Sequence, residues 1–212
     1  MLVGLFEDLE RSLSDGLAVN GGEMKLGTVV LLLALVTVPA CGGGGGGSDS
    51  GIGGSPSPLS ASFVAEQSTP GANTVSMRQA STSNDVVSVY VTLTDTTGVF
   101  GTAFEVVFDG AGAAYLGFTH GAAFEAGGNV PIYAVDGSTS PGRIVVAVVR
   151  TNGTVTNIVG SKAVLSLQFR VKQAGTYPLT LENRVVYDNQ QPNPQPIPGI
   201  LWSAGAVKGV GV

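Results

Sequence analysis

The chain has one cysteine, one histidine and one tryptophan in 212 residues, and only 12% of it is charged. A lone cysteine, Cys41, excludes an intrachain disulfide. With one histidine, His120, and no second thiol, a zinc site lacks its donors. A Ser-His-Asp triad would have to use His120, but Thr119-His120-Gly121 reads as the end of a strand, and no serine sits in a nucleophile elbow. No spacing selects two carboxylates for glycoside hydrolysis. Basic residues do not cluster: from Cys41 onward ten acidic side chains face eight basic ones. That balance argues against nucleic acid, whose binding draws on neutralised phosphates. No convincing helical period occurs anywhere. These absences leave a non-catalytic chain as the expectation.

What is present at the N-terminus explains the cysteine. Met24-Lys25 precedes an apolar run from Leu26 to Val36. The run is too short for a bilayer span, which needs roughly 20 residues, and fits a signal-peptide core of about 7–15. Val38-Pro39-Ala40-Cys41 resembles a lipobox, with small Ala40 before the cut. We therefore expect a signal peptide over 24–40 and lipid attachment at Cys41; the alternative is a secreted chain cut after Ala40. Residues 1–23 carry Glu7, Asp8, Glu10, Asp15 and Glu23 against Arg11 alone. Such an acidic segment opposes the positive-inside preference, so 1–23 reads as a mis-assigned extension with Met24 as initiator. Residues 41–58 form a Gly/Ser/Pro linker, a coil of roughly 5–6 Å × √n. Gly42 stands where aspartate would signal inner-membrane retention in many diderm bacteria. The expected location is the cell envelope: lipid-anchored, on the outer membrane in a diderm, with the domain facing periplasm or exterior.

Residues 59–212 read as one all-β domain. Val87, Val89, Val91 and Leu93 alternate with Ser88, Tyr90 and Thr92, the period-two signal of a half-buried strand. Asp95-Thr96-Thr97-Gly98 predicts a turn. Phe100, Thr102, Phe104, Val106 and Phe108 line the next strand, which Asp109-Gly110 ends. Further strands are expected at 114–118, 130–135, 144–149, 163–171, 175–181, 184–187 and 205–210. The segment 144–149 is apolar on both faces and should be central and covered on both sides. Short strands punctuated by Gly, Pro and Asp argue for a β-sandwich.

The order of these segments is similar to that of cohesin domains. Gly101-Thr102-Ala103-Phe104-Glu105-Val106-Val107-Phe108-Asp109 resembles the family's second strand, and Tyr115-Leu116-Gly117-Phe118-Thr119 a following one. Gly142-Arg143-Ile144-Val145-Val146-Ala147, Ala163 to Val171, and Ala174 to Leu181 followed by Val186-Tyr187-Asp188 resemble later ones. The resemblance covers about residues 74–212. It implies a nine-strand jelly-roll sandwich, shared with some carbohydrate-binding modules, and a dockerin-bearing secreted protein as partner. Polysaccharide binding by the same fold, or a structural envelope lipoprotein with no ligand, stays open. For carbohydrate the candidate residues are Trp202, Tyr133 and Tyr90, the two tyrosines on expected outward faces; Trp202 also reads as packed at a sandwich edge. Calcium is a further candidate ligand, because Asp95, Asp109, Glu125, Asp136 and Asp188 recur at strand ends, although turn chemistry explains Asp109-Gly110 and Asp136-Gly137. No other cofactor is expected. The proline-rich segment 192–198 should be an extended connection, or a cover over a sheet edge.

Overall fold

A computed structural model describes residues 58–190 and 193–212, so the signal peptide, Cys41 and its linker lie outside the described residues. Eleven strands are delineated there, two more than expected: β1 (Leu59–Ala65), β2 (Thr74–Ser83), β3 (Val86–Val99), β4 (Gly101–Phe108), β5 (Ala113–His120), β6 (Ile132–Asp136), β7 (Arg143–Val149), β8 (Thr156–Val171), β9 (Gly175–Tyr187), β10 (Leu201–Ser203) and β11 (Gly205–Gly211). They build two sheets, ordered β1-β11-β9-β4-β7-β6 and β10-β2-β3-β8-β5. Every pairing is antiparallel except the short parallel contact of β10 with β2.

The core is the meeting of two period-two faces. Val87, Val89, Val91 and Leu93 of β3 and Leu165, Leu167 and Phe169 of β8 point inward from the five-stranded sheet. They meet Phe104 and Val106 of β4 and Ile144, Val146 and Val148 of β7; none of these is more than 1% exposed. Burying each such side chain stabilises the fold by about 1.5–3 kcal/mol.

Two expectations are corrected. The first is the turn at Asp95–Gly98: β3 continues to Val99. Asp95 and Gly98 take left-handed backbone angles (φ 41° and 70°), and the ladder to β8 slips beside them. The Asp95 carboxylate accepts the Gly160 N–H at 2.6 Å, and Asn157 Oδ1 accepts the Gly98 N–H at 2.9 Å. The turn-forming residues thus make bulges inside a long strand pair rather than its end. The second is β7, which lies next to the edge strand β6; among the described residues only its inward face is packed by the other sheet. Val145, Ala147 and Val149 are half-buried on the sheet's outer side.

Three sets of contacts close one end. The 3₁₀ turns Ala122–Phe124 and Ala126–Gly128 bridge β5 to β6. Buried Arg150 pins them: its guanidinium donates to the carbonyls of Thr154 (2.8 Å), Phe124 (2.8 Å) and Ala126 (2.9 Å). Asn129 completes the hub, donating to Phe124 O at 2.9 Å and accepting the Thr151 and Asn152 N–H groups at 3.0 and 3.1 Å. At the same end, two strands across, Pro196 and Ile197 lie along the end of β9, where Tyr187 bridges Pro196 and the Ile197 N–H donates to Val186 O at 2.8 Å.

Candidate functional site

The two outer faces differ in chemistry. On the five-stranded sheet the outward residues are hydroxyl-rich and mutually satisfied. Ser76 Oγ and Thr92 Oγ1 are 3.0 Å apart, Thr94 Oγ1 and Ser161 Oγ 2.8 Å apart, and the Arg78 guanidinium lies 5.4 Å from the Tyr90 ring. The six-stranded sheet instead turns apolar groups outward. Its register puts Ala134, Ala147 and Ala103 side by side across β6, β7 and β4, with Ile132 beside Val149 in the next row. Val107 and Val145 extend the same face, and Ile132 is 49% exposed. One corner is charged: Arg143 pairs with Glu105 and, at 3.2 Å, with Glu182 on β9. An apolar centre with a charged rim is the anatomy of a protein-docking surface.

The three aromatics picked for carbohydrate do not share a surface. Tyr90 stands on the outer face of the five-stranded sheet, opposite Ser166 and Arg78. Tyr133 faces inward, not outward: it is registered with buried Val148, and its hydroxyl donates to Gly121 O at 2.7 Å. Burial pushes its phenol above the ordinary range; the Gly121 bond opposes this and the Glu125 charge adds to it. The His120 ring stacks on Tyr133 with centroids 4.1 Å apart and planes parallel within 1°. Trp202, registered with buried Val75, is half-buried at the sandwich edge, 6.0 Å from Phe104.

The strand-end carboxylates are engaged in turns. Asp109 Oδ1 accepts the Ala111 N–H at 2.8 Å. Asp188 accepts the N–H groups of Gln190 and Gln195, which hold its carboxyl below the usual range. The Thr139 hydroxyl, with the Ser138 and Thr139 N–H groups and the Ser138 hydroxyl, brings Asp136 down to about 2. Among the described residues no three His, Cys, Asp or Glu side chains come together in a metal-holding group.

No protein-family model matches the sequence, and no curated protein does. Solved structures do match. The second type II cohesin module of the cellulosomal adaptor ScaA scaffoldin of Acetivibrio cellulolyticus superimposes with a TM-score of 0.50 at 10% identity, over 72% of this chain and 96% of that one. The fold is cohesin-like. A non-cellulosomal cohesin from the archaeon Archaeoglobus fulgidus gives 0.42 at 14% identity, over 68% of this chain and 88% of its own. The third cohesin ScaC of Acetivibrio cellulolyticus, solved in complex with the ScaB dockerin, gives 0.45 at 16% identity, over 57% and 86%. At these identities the likeness concerns the fold alone.

Sequence reasoning missed Arg150. Its signal was available: Arg150 is in phase with Ile144, Val146 and Val148, so continued alternation points it inward. The outward apolar row of β7 is visible in the sequence, where apolar residues in both phases read as a strand covered on both sides.

Proposed function

We propose that this cohesin-like domain is a non-catalytic module that binds a secreted, dockerin-type protein through the outer face of the six-stranded sheet, and that lipid at Cys41 holds it to the cell envelope. The observation that carries the reading is the half-exposed apolar row Val145, Ala147 and Val149, flanked by Ile132 and Val107 and bounded by the Arg143–Glu105–Glu182 cluster. A sheet face left in water is ordinarily polar in alternation with the core. This face departs from that rule, its outward row on β7 being apolar after Arg143. The family resemblance in the ordered strand segments supplies the partner class. The flatness of a sheet suits a folded module rather than a small ligand, which prefers a concave site.

The test is capture of secreted proteins from the producing organism on the immobilised domain, with and without calcium, beside the variant Ala147→Glu. A charge placed at the centre of the face should cost about 2 kcal/mol of binding, roughly thirtyfold in affinity. The reading fails if the captured partner is held equally well by Ala147→Glu, or if only polysaccharide is retained.

A further inference from the structure

One flank of β9 pairs with β4; the other flank has a gap. The Phe108 N–H donates to Gly142 O at 2.8 Å, so Phe108 turns its backbone groups toward β7. Its partner Leu179 therefore turns its own away from β4, toward Gly205 of β11. Alternation sends the N–H and C=O of Leu181 out on that same flank, past the end of β11. Farther along the same flank the Val186 carbonyl is taken by the Ile197 N–H at 2.8 Å. Among the described residues no strand is paired with this flank between those two points. Asn183, with φ 45°, places a bulge inside the gap.

The facing wall is also a bare edge. The Leu201 N–H donates to Asn73 O at 2.8 Å within the parallel pair, so Trp202 turns its N–H and C=O away from β2. Between the walls runs an open groove of about 450 Å³ lined by Leu181, Arg184, Trp202, Ala204 and Glu66. Glu66 is engaged, accepting the Ala204 N–H at 3.0 Å and the Ser203 hydroxyl at 3.4 Å. Arg184 lies 5.9 Å from the Trp202 ring and makes no ion pair among the described residues.

We propose that this groove takes a short, extended acidic peptide segment as an added strand on β9. The peptide backbone bonds the Leu181 N–H and C=O, and one carboxylate pairs with Arg184 above Trp202. A gap of about four residues, at about 3.3 Å each, sets the length of the segment. Two observations favour a peptide over a glycan. The bare strand edge offers alternating donors and acceptors, which only another backbone matches in spacing. Arg184 also covers the Trp202 ring on which a sugar would stack. The site is separate from the outer face proposed above.

The experiment is an NMR titration of the ¹⁵N-labelled 212-residue chain. The probes are a blocked hexapeptide of alternating threonine and aspartate, the same peptide with lysine for aspartate, its N-methylated form, and cellohexaose. The expected result is saturable shifts at the amides of Leu181, Asn183 and Trp202 with the aspartate peptide alone. Exchange at the Leu181 amide should slow at least tenfold at saturation, Arg184→Ala should weaken binding at least fivefold, and Ala147→Glu should leave it unchanged. Equal binding of the lysine or N-methylated peptide overturns the proposal. So does binding of cellohexaose without the peptide, the absence of shifts at millimolar peptide, or a Leu181 amide already protected in the free chain.

Discussion

Arg150→Met removes the guanidinium that gathers the loops at one end of the sandwich while keeping an apolar stem of similar length. Hydrogen bonds from a charged donor contribute roughly 1.5–3 kcal/mol each. Arg150 makes three of 2.8–2.9 Å, yet the loss is smaller than their sum. Phe124 O keeps its bond from Asn129, and the exposed backbone at Ala126 and Thr154 regains water. Removing a buried cation also relieves its desolvation, the same burial that pushes the Arg150 pKa down. We expect a net loss of about 3 kcal/mol, a fall in Tm of roughly 6–12 °C for a domain of this size. Arginine stays protonated throughout the working range, so the loss should be the same from about pH 5 to 9. Arg150→Lys discriminates the cause: an ammonium keeps the charge but cannot reach three carbonyls in fixed directions, so it should be at least as damaging as methionine. Calorimetry of the three proteins, with amide exchange across 124–130 and 151–154, is the assay. A methionine variant within about 2 °C of wild type, or a lysine variant that melts with it, would refute the fork argument.

Other expectations are narrower. Gly112→Ala places a Cβ 1.8 Å from the Tyr177 ring, which is held by bonds from its hydroxyl to the Gln173 and Ala174 carbonyls. Overpacking of this kind costs about 1–3 kcal/mol, whereas Gly71→Ala meets nothing within 4 Å; equal melting of the two variants would contradict the packing. Asp136 should titrate near 2 rather than 3.8, seen in the pH dependence of its carboxyl carbon resonance. Because the folded pKa is depressed, its contribution to stability is present above about pH 4 and is lost as pH falls through 2; a midpoint near 3.8 would disprove the Ser138–Thr139 cradle. Trp202→Ala should lower Tm through lost contact with Phe104 while leaving capture by the outer face intact, and loss of capture at unchanged Tm would relocate the site. In the envelope reading, Cys41→Ser abolishes incorporation of labelled palmitate in the native host, and labelling that survives the change rules out attachment there.

Much of the strand pattern was legible because alternation is a local signal. Val87 to Leu93, Phe104 to Val106 and Leu165 to Val171 are each buried in the phase their spacing predicts. β1 and β2 were not read. β1 (Leu59–Ala65) offers only Leu59, Phe63 and Val64 as large apolar residues, and β2 runs from Val75 and Met77 into Arg78, Gln79, Ala80 and three hydroxyl residues. Their places come from pairing, β1 with β11 and β2 with β3, which no local window contains. Tyr133 was misdirected for a related reason. The five-residue strand β6 is apolar or aromatic at four positions, so composition does not choose its inner face; the ladder with β7 does.

β7 bears most directly on function. Apolar residues in both phases normally mean cover on both faces, and Val145, Ala147 and Val149 are apolar where the described residues supply no second layer. Local pattern and tertiary position conflict at this row, and such conflicts concentrate at sites kept for something other than stability. The neighbouring charges fit that account. Arg143 is tied to Glu105 and Glu182 within the sheet, which fixes a polar corner beside the apolar strip and lowers the entropy lost when a partner covers it. On the other sheet Ser76, Thr92 and Thr94 are buried and already bonded in the Ser76–Thr92 and Thr94–Ser161 contacts, so they offer a partner no free group. The same comparison predicts the orientation of a complex: cross-linkers placed at Asp136 should reach a bound partner, and those placed at Arg78 should not.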